Sequence, residues 1–446
     1  MTSLPSLHNE PVTQALTHFL KRVPKTRRVL VGYSGGVDSH VLLHSLKQHL
    51  DTRPDLDLLA VHINHGMQSQ SGDWVNHCKN QCRALEVALT CIDVDVSPYQ
   101  AQGPEASARM ARYGAFATVM REGDYLLLAQ HADDQVETFL LQALRGSGPD
   151  GLASIPQQRT FAMGHLCRPL LGCYRSQIEH YAAQAALHWI EDPSNDDTML
   201  DRNYLRNSVI PLLKDRWPSL NQTISRAASR CGAASSLLKS MAQDDLDFSR
   251  YDPAEQDQLL HGSIAVLNAT RLASLGEERV FNTLRLWVRE NGLALPGLEH
   301  LKQVANTLLQ NSDAISGRGV VHIDGYGFRR YQQVLHLCRL EDQVPDDIDT
   351  VWEPPFAPLH LRAIGITLDL AACQSMGLVF DQSTPVDITT RRGSEVIQLR
   401  GRGHKAIKKL FQEAGVPPWR RQRYPLMYQR DRVIAIWGLQ VADTDG

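Results

Sequence analysis

The amino-acid sequence predicts an α/β fold over residues 1–218, then a mainly helical middle over 219–343, and a small basic α+β domain over 359–446. Three observations carry the first part. Short apolar runs alternate with helical patterns from Arg28 to about Leu144, the runs are apolar throughout, and a glycine-rich turn follows the first of them. Such alternation reads as a parallel sheet covered on both faces, with ligands held beyond the carboxyl ends of its strands. In order, Val29–Tyr33 reads as a strand, and Val41, Leu42, Leu46 and Leu50 mark one side of a helix. Leu58–Ile63 is a second strand, Asp73–Leu85 a helix and Cys91–Val96 a third strand. Glu105–Val119, rich in Ala and Arg, is a helix, Tyr125–Ala129 a fourth strand and Asp133–Leu144 a further helix. Gly146–Gly151 breaks the pattern; a long helical stretch then runs from about Leu220 to Leu246. In the middle, Arg279–Glu290 and Leu298–Leu309 read as amphipathic helices and Gly319–Val334 as short strands. Residues 344–358, with four prolines, read as a linker; at the C-terminal end strands near Val396–Leu399 and Val433–Trp437 flank a helix from Lys405 to Glu413.

Length allows roughly two to four domains, and 43% hydrophobic residues allow a sizeable core. A net charge of −3 hides an uneven distribution. Between Arg391 and Arg432 stand twelve Lys or Arg and three acids, a local balance of +9 on an otherwise acidic chain. That is either a solvated basic face or a grip for a polyanion. The eight cysteines, at 78, 82, 91, 167, 173, 231, 338 and 373, form no CxxC pair and fit a reducing compartment. The stretch from Met1 to Pro24 is interrupted by Pro5, His8, Glu10 and Lys21, and no run approaches the ~20 apolar residues that span a bilayer. A cytoplasmic protein without a membrane partner is the expectation.

Ser34-Gly35-Gly36-Val37-Asp38-Ser39 lies between the first strand and the first helix. Two glycines let backbone amides approach an anion, and the helix N-terminus favours phosphate. Ser34 and Ser39 add hydroxyl donors. The loop lacks the GK[ST] ending of a Walker A motif, and it carries an acid, Asp38, where a cation would normally face phosphate. That carboxylate makes sense with a metal ion or another positive group between it and the nucleotide.

SGGVDS resembles the signature of the PP-loop ATP pyrophosphatases, which cleave ATP between its α- and β-phosphates and adenylate a substrate oxygen. Within them, further stretches resemble the tRNA(Ile)-lysidine synthetases: Glu105–Tyr113 (EASARMARY), Ala129–Thr138 (AQHADDQVET), Arg145–Gly148, Arg168–Leu171, Trp189–Asn195, Asp201–Arg206, and the C-terminal Lys408–Phe411 with Gly415–Trp419. The likeness covers nearly the whole chain and is weakest between 240 and 380. Gln130 departs from it, where some relatives carry Gly.

The resemblance implies a ligase that uses ATP, with Mg2+, to adenylate the C2 oxygen of the wobble cytidine in the CAU anticodon of tRNA(Ile). Free L-lysine then displaces AMP and leaves lysidine. It implies ATP contacts at Ser34, Gly35, Gly36, Val37, Asp38 and Ser39, and catalytic roles for Asp38, Asp134, Glu137 and Arg112. Asp134 and Glu137, three apart on one helix face, can hold the lysine ammonium or take its proton. Arg109 and Arg112 can serve phosphate charge, RNA, or a surface salt bridge. His131 is a turn histidine or part of the site. The basic tail, with Arg402, Lys405, Lys408, Lys409 and Arg420, is a candidate tRNA surface, where Trp419 either stacks on a base or fills the module's core. A homodimer is compatible with all of this. The competing readings are a PP-loop tRNA thiolase, which needs sulfur-handling cysteines, an amidotransferase-type synthetase, which needs an ammonia source, and an idle tRNA-binding protein.

Overall fold

The apolar runs of the N-terminal region pair into one sheet because their side chains can be buried only on two faces at once. The computed structural model describes residues 10–24, 27–50, 52–64, 71–98, 103–255, 263–310, 316–317, 319–339, 348–362, 364, 366–391, 393–399 and 403–443. They form two compact units, Met1–Ser236 and Leu237–Gly446.

In the first unit, β1 (Arg28–Gly32), β2 (Asp57–Asn64), β3 (Ala88–Asp93), β4 (Tyr125–Leu127), β5 (Gln158–Phe161) and β6 (Gly164–Cys167) run in the order β3-β2-β1-β4-β6-β5. All neighbours are parallel except β5, which returns antiparallel to β6. Alternate residues of each strand feed opposite layers. Val29, Val31, Ala60 and Leu127 pack with α1 (Pro11–Leu20), α2 (Val37–His49) and Ile178, Tyr181 and Ala182 further along the chain. Leu30, Val61, Leu126 and Leu166 pack with Phe116 and Met120. Each buried Val, Leu or Phe contributes about 1.5–3 kcal/mol. Further helices are α3 (Ser71–Ala84), α4 (Pro104–Val119), α5 (Ala132–Leu144) and α6 (Arg175–Gln184).

The third strand begins at Ala88 rather than Cys91, because pairing with β2, Leu59 to Ala88 through Asn64 to Asp93, sets its ends and not its own apolar run. The β5–β6 hairpin was absent from the sequence reading, since β5 is a polar, mostly exposed edge. Gly164 is required there: a Cβ at this position would lie 2.2 Å from the Asp124 carbonyl oxygen. Strand order reverses beside β1, with β2 on one flank and β4 on the other, which opens a crevice at the carboxyl ends of β1 and β4.

The chain continues through Asp201–Tyr204, a π-turn at Leu205–Val209 and Ile210–Arg216, labelled together α7. Pro211 has no N–H to donate, and the wider turn before it accommodates that loss. The long helix α8 (Leu220–Ser249) follows.

In the second unit, the helices read from the sequence appear as α9 (Glu277–Glu290) and α10 (Leu298–Val304), with a π-turn at Ala305–Gln310. They cover a four-stranded antiparallel sheet, β7-β10-β9-β8, made of β7 (Ala265–Asn268), β8 (Val320–Ile323), β9 (Tyr326–Tyr331) and β10 (Val334–Arg339). The sequence reading held only part of this sheet. Further on come β11 (Asp349–Trp352), a hairpin of β12 (Leu359–Leu361) and β13 (Ile366–Leu368), β14 (Val386–Thr389), β15 (Val396–Leu399), β16 (Gly403–Ala406), α11 (Ile407–Glu413), β17 (Leu426–Gln429), β18 (Arg432–Ile436) and β19 (Gln440–Val441). β11 pairs with β14, so part of the proline-rich stretch read as linker is a strand of the C-terminal sheet. The expected helix from Lys405 starts at Ile407 instead; Lys405 lies in β16, where its backbone pairs with Ile397.

Candidate functional site

The Ser34–Ser39 loop leaves β1 at the crevice. Gly35 adopts φ +88, and a Cβ there would sit 3.0 Å from the Cys78 sulfur, so glycine is needed on both counts. The two serines shape the loop from within. Ser39 Oγ accepts from the Ser34 amide at 3.2 Å and donates to the Gly36 carbonyl at 3.0 Å, while Ser34 Oγ lies 3.1 Å from Ser39 Oγ. The Ile190 amide donates to the Gly35 carbonyl at 3.0 Å and fixes the loop from behind. Gly36 caps α2 without a side-chain hydrogen bond, so the first-turn amides of Val37, Asp38 and Ser39 are left for a ligand.

Asp38, in that first turn, meets a cation from another element. Arg175, at the start of α6, donates from Nη1 to Asp38 Oδ2 at 2.7 Å and from Nε to Glu179 at 2.8 Å. Asp38 Oδ1 is buried without a hydrogen-bond partner, and burial raises the carboxyl pKa against the opposing pull of His131 and Arg175. Such an orphaned oxygen suits a hard cation held mainly by nucleotide phosphates. Among the described residues no group of three or more His, Cys, Asp or Glu could hold a metal ion.

α5 begins at the carboxyl end of β4 and brings the second set of acids. His131 is its N-cap: Nδ1 accepts from the Asp133 amide at 3.3 Å, and Asp134 Oδ2 accepts from the His131 amide at 2.9 Å, a reciprocal capping box. With Nδ1 accepting, the proton of a neutral ring resides on Nε2. That nitrogen lies 3.7 Å from Asp38 Oδ1 and 3.5 Å from Asp134 Oδ2. His131 is therefore the turn residue, and its Nε2 faces both the phosphate loop and α5.

The two acids assigned to lysine differ. Asp134 keeps Oδ1 at 3.7 Å from Arg206. Glu137 is 1% exposed and bound by both arms of Arg206, at 2.6 and 2.9 Å, with Arg202 Nε 3.8 Å away. Burial pushes its carboxyl up while Arg206 opposes the shift. In this arrangement the Glu137 carboxylate is engaged by the Arg206 fork. Arg112, expected to serve phosphate charge or RNA, is exposed on α4; Arg175, Arg202 and Arg206 lie against the carboxylates of Asp38, Asp134 and Glu137. Asp133 points elsewhere and accepts from Lys214 at 2.7 Å, Asn221 at 2.7 Å and the Arg175 amide at 2.9 Å. Burial raises its pKa, but these donors outweigh it and hold the group at about 2. Sequence reasoning gave no role to Arg175, Arg202, Arg206 or Lys214. The four-residue spacing of Arg202 and Arg206 was a usable signal; nothing around Arg175 was.

The basic tail divides. Arg402 lies outside the described residues. Lys408 and Lys409 are exposed on α11. Lys405 is engaged by Glu413 at 2.7 and 2.8 Å. Arg420, expected to hold phosphate, is only 5% exposed, because the turn Pro418–Arg423 folds inward. Trp419 packs edge-on against His336 and Tyr331, with Arg329 5.1 Å above its ring. Trp419 is thus half-buried against the sheet of β9 and β10 rather than in the core of the C-terminal module.

Three family models match the chain: a PP-loop domain over residues 8–213, a TilS substrate binding domain over 267–336 and a TilS substrate C-terminal domain over 386–445. The chain is 37% identical over 431 residues to a tRNA(Ile)-lysidine synthase of Serratia proteamaculans, covering 94% of this chain and 92% of that protein. It is 36% identical over 428 residues to one of Legionella pneumophila, covering 95% and 94%. Among solved structures, a U34-tRNA thiolase from Methanococcus maripaludis aligns at 16% identity and a TM-score of 0.42, over 49% of this chain and 76% of that one.

Proposed function

The chain belongs to the tRNA(Ile)-lysidine synthases, ATP-dependent ligases that form a C–N bond, and from that premise we propose how its own residues perform the reaction. The substrates are ATP, free lysine and the tRNA(Ile) whose anticodon is CAU. The C2 oxygen of the wobble cytidine attacks the α-phosphate of ATP, pyrophosphate leaves, and the lysine amine displaces AMP to give lysidine. The change switches the anticodon from reading AUG to reading AUA.

One observation carries the assignment of the site: His131 Nε2 stands between Asp38 at 3.7 Å and Asp134 at 3.5 Å, so the nucleotide loop and an acid of α5 lie side by side. The amides of α2 take phosphate oxygens, and the serine hydroxyls hold the loop in the shape that presents them. Asp38, with its unpartnered oxygen, would hold Mg2+, which supplies the positive charge that a carboxylate facing phosphate requires. Arg175 supplies that charge from the protein side. Asp134 receives the lysine ammonium and takes its proton as the amine attacks. Glu137 positions Arg206, whose guanidinium faces the charge that develops on the phosphates. No described helix is long and apolar enough to cross a membrane, and tRNA and free lysine meet in the cytoplasm.

The thiolase reading needs a reactive thiolate. Burial pushes Cys78 and Cys82 up to about 12 and Cys167 and Cys173 up to about 11, the opposite of what sulfur transfer requires.

The test incubates the full chain with ATP, lysine and unmodified tRNA(Ile), then digests the RNA for nucleoside mass analysis and assays AMP. The expected product is a cytidine heavier by one lysine less a water, with AMP release that depends on lysine and tRNA together. AMP without the modified nucleoside, or a thiolated nucleoside, would overturn the reading.

A further inference from the structure

Three arginines converge on one tyrosine at the edge of the first unit's sheet. Tyr113, on α4, has the Arg109 guanidinium 4.9 Å and the Arg159 guanidinium 5.3 Å from its ring centre. Arg159 also lies 5.5 Å from the ring of Phe161, which meets Tyr113 edge-on at 5.6 Å. Beneath them Arg168, 2% exposed, donates to the Gln130 side chain and to the Pro156 carbonyl, the latter at 2.7 Å. Burial above all pulls the Arg168 guanidinium below its ordinary pKa, opposed by Tyr113 and aided by the charges of Arg159 and Arg109.

Among the described residues, no carboxylate pairs with Arg109, Arg159 or Arg168. The chain has 49 acids against 46 bases, so acids were abundant enough to neutralise such a cluster. Concentrating guanidinium groups without a counterion is unfavourable on its own. An anion that arrives from outside resolves it.

The topology says where that anion would lie. Gln130 follows β4 and directly precedes His131; Arg168 follows β6; Arg159 pairs with Leu166 near the end of β6. The cluster thus stands at the carboxyl ends of β4 and β6, the edge that also carries the Ser34–Ser39 loop after β1. Arg109 and Arg159 are exposed.

We propose that Arg109, Tyr113 and Arg159, seated on Arg168, form a contact surface for the substrate RNA strand beside the base being modified. The guanidinium groups take phosphodiester oxygens, and the stacked arginine planes receive a flanking unpaired base. ATP is the poorer occupant, because its phosphates already have the amides of α2 and its single base offers no strand for a second anchor. Gln130 is the positioning residue that ties Arg168 to the His131 turn. This inference rests on the RNA-modifying reading above.

The experiment uses the full chain, with Arg109→Ala, Arg159→Ala and the double variant. Binding of tRNA(Ile) is measured at several salt concentrations, and ATP binding by calorimetry. Each single variant should bind tRNA about tenfold more weakly, as expected for one lost charge-assisted hydrogen bond. The slope of log affinity against log salt should fall by roughly 0.7 for each arginine, and ATP binding should stay as in the wild type. Should the double variant fail to fold, Arg159→Lys keeps the charge and loses the plane: its salt slope should match the wild type while its affinity falls. Unchanged tRNA affinity and slope in folded variants would overturn the surface alone. Weakened ATP binding with intact tRNA binding would reassign the cluster to the nucleotide and overturn it too. A wild-type chain that does not bind tRNA would overturn the surface and the functional reading together.

Discussion

Asp134 and Glu137 sit on one face of α5 yet answer to different partners, and their amides should behave differently. Asp134→Asn should raise the lysine requirement well above tenfold and leave the ATP requirement nearly unchanged. Steady-state kinetics with each substrate varied in turn checks this; equal losses for both would move Asp134 to the nucleotide. Glu137→Gln removes the carboxylate held by both arms of Arg206. It should slow AMP formation for every substrate and cost about 2–3 kcal/mol of stability in denaturant titration, below the full cost of breaking a buried pair because Arg206 is partly exposed. Asp133 offers a pH test. Its pKa is held at about 2, below the usual 3.8. A depressed carboxyl stabilises the fold above its ordinary pKa, and that stability is lost as pH falls from about 4 through about 2. Lys214→Ala should therefore cost about 1–2 kcal/mol at pH 7, after discount for solvent screening, and almost nothing at pH 2. Acid unfolding followed by circular dichroism should show the variant's midpoint shifted to higher pH.

At the scale of elements, the loop before α2 and the start of α5 are the parts that make a site out of a sheet. Both were legible in the chain: two glycines, an acid and two serines after an apolar run, and a cluster of His and Asp residues opening a helix. What was not legible is how the loop is held. Gly35 must accept φ +88 and pass 3.0 Å from the Cys78 sulfur. Gly35→Ala should lower ATP binding at least tenfold and cost about 1–3 kcal/mol for the strained backbone. Cys78→Ala removes the close contact but not the strain, so the double variant should recover only part of the loss, read by calorimetry and thermal unfolding. The edge strand β5 and the strand β16 escaped sequence reading for a shared reason. Their residues carry little apolar periodicity, and only a neighbour's unpaired backbone makes them strands.

For the whole molecule, charge and topology work at different distances. The +9 segment was visible as composition, but folding sorts its members. Arg420 turns inward, Lys405 is spent on Glu413, and Lys408 and Lys409 stay exposed. Reversing the last two to Glu should lower the salt slope of tRNA binding by roughly 1.4–1.8 and leave ATP binding intact. A slope unchanged from wild type would make that face a solvated one. Truncation after residue 358 is a poor test, because it separates β11 from its partner β14. By itself the sequence determined the α/β class of the first unit, the glycine loop after its first strand and the acids at the start of α5, since apolar continuity, glycine placement and helix starts are local properties. Only the tertiary structure decided that Arg175 faces Asp38 and that Arg206 claims Glu137. It also decided that Arg109, Arg159 and Arg168 gather on Tyr113. Asp38 and Arg175 are 137 positions apart and Glu137 and Arg206 are 69 apart. No local pattern records such pairs; they exist because reversal of strand order beside β1 brings distant strand ends to one edge of the sheet.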